Sequence, residues 1–414
     1  MSSNSSTGQR VGSIFFIFLR LGLTSFGGPV AHLGFFRDEF VKRRAWLSES
    51  NYAELIALCQ FLPGPASSQV GMALGLLRGG YAGALAAWLG FTLPSALLLI
   101  VFALGLQQSD AGLNAGFIHG LQLVAVAVVA QAIWGMARQL CRGVARSVIM
   151  FAAAALALSF TWVGAQVLIM MGAAIIGTLL FKPITSHHND ALTLPVSLRM
   201  AQVALLTFVV LLLGLPWLAQ HFAGHSAALI DAFFRAGSLV FGGGHVVLPL
   251  LESEVVATGW VSPDTFLAGY GAAQAVPGPL FTFAAFLGAA MPTTPNGWVG
   301  GVVAVIAIFL PSFLLVIGAI PFWGRLRQNT RAQAALIGVN AAVVGLLLAA
   351  FYRPVWLSTI HGLPDLLGAA VAFLALSWLR CPPWLVVVLG GVVGAFLFSS
   401  VPLAVQLPQL TSIS

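Results

Sequence analysis

Charge is what this sequence has least of. Only 7% of its 414 residues are Asp, Glu, Lys or Arg, against about 25% in a soluble globular chain. A water-facing surface cannot be built from so few charges, and a soluble fold is excluded. The net charge of +7 is carried almost wholly by arginine, the only lysines being Lys42 and Lys182. So sparse a balance fits membrane-flanking loops and not a nucleic-acid-binding face. Cysteine is scarce and scattered (Cys59, Cys141, Cys381), with no Cys-x-x-Cys pair or Cys/His cluster, which argues against disulfides and metal sites. There is no Gly-Lys pair for a phosphate-binding loop, and no His-Glu-x-x-His or Gly-x-Ser-x-Gly motif. ATP hydrolysis, a catalytic residue set and a cofactor are therefore not expected. The residues before the first apolar run lack a small-residue cleavage site, so no cleaved signal peptide is expected.

What is present is apolar surface and glycine. Hydrophobic residues make up 59% of the chain, and 45 residues are glycine. Several apolar runs reach the roughly 20 residues a bilayer-spanning helix needs. The expected fold is an all-α polytopic integral membrane protein in the lipid bilayer, its excess glycine marking close helix packing or interrupted helices. Apolar segments fall near 11–28, 47–60, 64–79, 80–107, 112–139, 145–161 and 164–181. A polar stretch at 182–195 and one span at 198–221 follow, and the pattern then restarts at 226–244, 245–257, 263–276, 278–291, 296–323, 330–353, 362–378 and 383–402.

The restart is an internal repeat. Arg20 and Arg235 differ by 215, as do Phe26 and Phe241 and Gly27 and Gly242. Trp46 and Trp260, Gln60 and Gln274, and the Pro-Gly-Pro triplets at 63–65 and 277–279 differ by 214. "LPSALLLI" from Leu93 returns as "LPSFLLVI" from Leu310. The expected organisation is a repeat over 1–181, a linker with a single span over 182–225, and a second repeat over 226–414. Basic residues at 37–44, 78, 138–146 and 182–199 belong in the cytoplasm by the positive-inside rule. The counterpart of the 37–44 loop carries Glu252, Glu254 and Asp264 instead. The halves are thus expected in inverted topology, with broken or re-entrant helices.

Helix breakers in matching places of two inverted halves point to a transporter's binding site. Non-helical backbone survives at membrane depth only inside protein or along an aqueous cavity, and a helix N-terminus there suits an anion. The candidate breaks are Gly27-Gly28-Pro29, Pro63-Gly64-Pro65, Gly242-Gly243-Gly244 and Pro277-Gly278-Pro279. They would aim up to four helix N-termini at the midplane. Arg20 lies seven residues before Gly27, on one helix face with Thr24, and Arg235 repeats that spacing before Gly242. A membrane-buried arginine is a functional hypothesis by default, and its planar fork suits an oxyanion. The alternative is that each snorkels or pairs with a carboxylate such as Glu39 or Glu254. Gln60 and Gln274 could donate amide hydrogen bonds to a ligand or bond neighbouring helices. Glu54, and with it Glu39 and Glu254, could carry a coupling proton; a satisfied structural carboxylate is the competing reading for Glu54. His245 follows the triple glycine, where the first half has Val30, and His32 is unmatched. His187 and His188 read as a solvated loop.

Phe-Gly-Gly-Pro at 26–29 after a serine-bearing helix, Trp46 downstream, Gln60 with Pro-Gly-Pro, and the repetition of this set resemble the chromate ion transporter family in its long, two-domain form. The resemblance covers nearly the whole chain. It implies a multi-pass protein of the bacterial inner membrane that exports chromate and confers chromate resistance, with sulfate as a structural mimic. Gly244 stands where the first half has Pro29, so the two halves need not bind alike. From the residues alone the reading reaches a secondary transporter for a small anion. An exchanger or channel for another anion such as sulfate competes with it, as does an intramembrane enzyme. The repeated polar groups are Arg and Gln, not nucleophiles, which favours binding over chemistry. A homodimer is left open.

Overall fold

The computed structural model describes residues 7–108, 111–160, 164–183, 195–221 and 224–397. Among these every regular element is helical. The first half runs α1 (Thr7–Thr24), α2 (Gly28–Phe36, continuing as a wider turn to Arg43), α3 (Glu49–Phe61), α4 (Ala66–Gln108), α5 (Ala111–Leu140), α6 (Val144–Ser159) and α7 (Ala165–Leu180). The lone linker span is α8 (Leu198–His221). The second half runs α9 (His225–Leu239), α10 (Val247–Leu251), α11 (Pro263–Ala275), α12 (Phe283–Ala290), α13 (Gly297–Ala319) and the short α14 (Trp323–Leu326). It ends with α15 (Thr330–Ala350), the one-turn α16 (Leu357–Thr359), α17 (Leu363–Ser377) and α18 (Pro383–Leu397). Five stretches, including α8, are long and apolar enough to cross a membrane. His187 and His188 lie outside the described residues.

The repeat governs how elements start. Ser48 and Ser262, at matched positions, cap α3 and α11, each hydroxyl accepting from a backbone N–H three residues on, at 3.2 Å in both halves. A serine there satisfies one of the orphan donors of a helix start. The expected boundary between segments 64–79 and 80–107 appears as a bend within α4, where Gly80 takes a left-handed φ of 61°.

The last two helices of each half are exchanged. α6 and α7 pack on α15 of the second half, while α17 and α18 pack on α5 of the first. Small residues make both crossings close, as membrane helix interfaces require. A Cβ on Gly120 would lie 3.0 Å from the Cα of Gly394, and one on Gly338 3.0 Å from the Cα of Gly177. These contacts repeat one another at offsets of 217 and 218 residues. α8 stays outside, against α9 and α13, and most of its apolar surface is left uncovered by the rest of the chain. A lone span between two repeats is the device by which a second repeat is turned over. The molecule is an all-α, polytopic, two-repeat membrane protein with interrupted helices.

Candidate functional site at the converging helix breaks

New helices begin beyond each of the four breaks. Gly27, with φ of 99°, precedes α2, and Pro29 occupies its first turn. Pro65 directly precedes α4, Gly244 opens a tight turn into α10, and Pro279 caps the turn leading into α12. Proline at such starts removes an N–H that has no helical partner anyway.

The breaks then meet across the two halves. The Gly64 N–H donates to the Val240 carbonyl at 2.7 Å, and the Gly278 N–H to the Ser25 carbonyl at 3.0 Å. Each Pro-Gly-Pro tip is therefore tied to the break after the first helix of the opposite half. Glycine is required at both tips. Gly64 and Gly278 have φ of 122° and 107°. A Cβ would lie 2.6 Å from Gln69 Nε2 and Ser312 Oγ at the first, and 2.9 Å from Ser95 Oγ at the second. Ser95 and Ser312 are the serines of the repeated Leu-Pro-Ser motifs, each reaching the other half's tip. Gln69 Nε2 also donates to the Pro63 carbonyl at 2.7 Å. His32 is buried with Nε2 3.2 Å from the Ser25 carbonyl and Nδ1 3.4 Å from Ser67 Oγ, and it props the first break against α4.

Beside these tips lies a cavity of about 300 Å³. Gly27, Gly28 and Pro29 form one wall and His245, Gln274 and Gly278 another, with Gln131 and Gly135 of α5 between them. No carboxylate lines it among the described residues. Gln274 lines the cavity, and its Nε2 is buried with no hydrogen-bond partner. The Tyr270 hydroxyl sits 2.8 Å from His245 Nδ1; with the phenol donating, the imidazole proton rests on Nε2. The start of α2 adds the partial positive charge of a helix N-terminus. Donors and a dipole without a carboxylate make an environment for a small anion.

Other sequence candidates lie elsewhere. Gly244 contacts Pro29 across the halves, a Cβ there falling 3.3 Å from the ring, while Gly242 and Gly243 pack on Met136 of α5. Pro63, Pro65, Pro277 and Pro279 shape the tips without lining the cavity. Gln60, the counterpart of Gln274, is exposed. Arg235 takes the paired alternative. It bridges Asp231 and Glu254, both at 2.9 Å, so its guanidinium is satisfied by two carboxylates away from the cavity. Arg20 is not held this way, because Glu39 turns to Arg43 and Arg44 at 2.9 and 2.6 Å. Arg20 is exposed on the α1 face that leads past Thr24 to Gly27, and the Thr24 hydroxyl donates to the Arg20 carbonyl. Glu54 accepts from Arg327 at 2.5 Å and from Trp323 Nε1 at 2.9 Å, a satisfied carboxylate strutting the two halves. Sequence reasoning missed Gln131, Gln69 and Asp231. Asp231 alone carried a signal, an acid four residues before Arg235.

Comparison with known proteins bears on these features. The family model described as Chromate transporter matches this chain twice, over residues 12–178 and 227–395. The chromate transport protein of Pseudomonas aeruginosa is 30% identical over 348 residues, 81% of this chain and 78% of that protein. The probable chromate transport protein of Synechococcus elongatus is 28% identical over 398 residues, 92% of this chain and 94% of that protein. The uncharacterized transporter YwrB of Bacillus subtilis is 31% identical over 172 residues, 40% of this chain but 85% of that protein. No solved structure matches.

Proposed function

The chain belongs to the chromate transporter family, and from that premise we propose that it exports chromate from the cytoplasm across a bacterial inner membrane and so confers chromate resistance. The dianion binds in the cavity between Gly27–Pro29 and the His245/Gln274 wall. The observation that carries the reading is a carboxylate-free cavity at the start of α2, lined by Gln274, whose buried amide nitrogen has no hydrogen-bond partner. Such a site recognises a tetrahedral oxyanion by donors and dipole, and sulfate fits it as chromate does.

Export needs no nucleotide. A charge crossing the membrane potential gains about 2.3 kcal/mol per 100 mV. A dianion leaving a negative interior therefore gains about 4.6 kcal/mol, roughly a 2,000-fold outward bias. The protein has only to alternate the cavity's access. The halves differ where such a cycle would act: α11 packs along α5, whereas α3 makes no comparable contact with α15 among the described residues. Exchanging these two arrangements would move access to the other face, as inverted repeats permit.

The test is uptake of labelled chromate into inside-out vesicles under an imposed potential, with sulfate as competitor. Concentrative, sulfate-inhibited uptake is expected. Uptake of sulfate with no response to chromate would make this a sulfate carrier, and flux of neither ion would remove the proposal.

A further inference from the structure

A second, larger void lies far from the breaks. α6 and α7 each pack along α15 but splay from one another, leaving a groove of about 570 Å³. Its lining is wholly apolar, from Ala145 and Leu180 at one end, past Ala152, to Phe160 at the other. α7 has 16 residues and rises about 24 Å. Half of a hydrocarbon core about 30 Å thick is about 15 Å, so the groove is long enough to hold the acyl chain of one leaflet. Its apolar lining suits a hydrocarbon chain.

The end at Ala145 and Leu180 is basic. Arg146 holds its guanidinium 5.4 Å over the Phe181 ring, closing the mouth between the two helices. Lys182 follows exposed, and Arg142, also exposed, lies just before the start of α6. No acidic residue occurs between Asp110 and Asp190, so nothing in this stretch of chain neutralises them. By the positive-inside rule this end meets the cytoplasmic headgroups. We propose that the α6–α7 groove binds an anionic phospholipid, its acyl chain between the helices and its phosphate at Arg146 and Lys182. The floor helix α15 carries Asn340, which packs against Gly242, so the lipid bears on the helix supporting the second-half break.

Native mass spectrometry of the full chain, titrated with phosphatidylglycerol and with phosphatidylcholine of the same chains, tests this. Phosphatidylglycerol should bind at least tenfold more tightly. Each basic residue near a headgroup is worth about fivefold, so the R146Q/K182Q double variant should lose about 25-fold for phosphatidylglycerol and little for phosphatidylcholine. Both positions lie at the surface, so this variant is expected to fold. Ala152→Trp, which fills the groove, should remove the bound lipid. Equal affinity for the two lipids in the unaltered protein, or unchanged phosphatidylglycerol binding in either variant, would overturn the proposal. A dimer lost on Ala152→Trp with no lipid retained in the unaltered protein would also overturn it and would mark the groove as a subunit contact.

Discussion

Replacing Gln274 with leucine should make the empty protein more stable and its anion binding weaker, two effects of opposite sign from one atom. In the empty cavity Nε2 is buried without a partner. A buried unsatisfied donor costs about 1–3 kcal/mol, and leucine of similar volume removes that penalty. When an oxyanion fills the cavity, the same amide donates to a charged acceptor, an interaction worth about 1.5–3 kcal/mol. Leucine should therefore weaken sulfate or chromate binding by roughly tenfold to 150-fold. The assay is thermal unfolding of detergent-solubilised protein across a sulfate titration. Gln274→Leu should raise the midpoint without sulfate and flatten the sulfate-dependent rise. Gln60→Leu is the internal control, because its side chain is exposed and does not line this cavity. The reasoning fails if Gln274→Leu binds sulfate as the unaltered protein does, or if Gln60→Leu loses as much.

Arg235→Gln should deplete folded protein, since it strands Asp231 and Glu254, and breaking a buried ion pair costs about 3–5 kcal/mol. Expression and melting of the D231N/R235Q/E254Q triple variant should recover, because no charge is then left unpaired. Arg20→Gln, on an exposed face, should leave the amount of folded protein unchanged and raise the KM for chromate by up to about fivefold, the range of an exposed charge contact; unchanged KM would remove Arg20 from the anion's path. Gly64→Ala and Gly278→Ala should each lower the melting midpoint and abolish flux, because both demand a left-handed φ and a contact under 3.0 Å; full transport by either would mean the tips are free to shift. Cysteines placed at Ser48 and Ser253 should react with an impermeant maleimide from opposite membrane faces, and labelling from the same face would refute the inverted topology.

Most of the frame was legible in the sequence because glycine and proline dictate backbone locally. The four breaks, the bend in α4 and the single linker span lie where matched breakers and apolar runs predict them. The exchange of hairpins was not legible, because Gly120 and Gly390 share no local signal; only their recurrence as Gly338 and Ala173 reveals the crossing once the structure pairs them. The arginines divided for a similar reason. Arg20 and Arg235 occupy equivalent positions, yet Asp231 corresponds to Phe16, and Glu254 faces its arginine where Glu39 turns to a basic loop. Partner choice in three dimensions decided which arginine is satisfied.

That division has a consequence for binding. Wherever the cavity presents a polar group from the second half, the first half has a residue that cannot replace it: Val30 for His245, and an exposed Gln60 for Gln274. The reverse substitution falls on α5 and α15, where Gln131 corresponds to Ala349 and Gly135 to Arg353. The polar wall and the amide on α5 therefore converge on one side of the pseudo-symmetric frame. On the other side, the matching face of α15 meets Glu252 in a smaller crevice of about 110 Å³. Arg353 lines it as well, so a carboxylate and a guanidinium share a space about a third the volume of the first. Duplication supplied two equivalent sets of helix breaks, and substitution has left the polar lining of His245, Gln274 and Gln131 around one of them, which is where the proposed anion site lies.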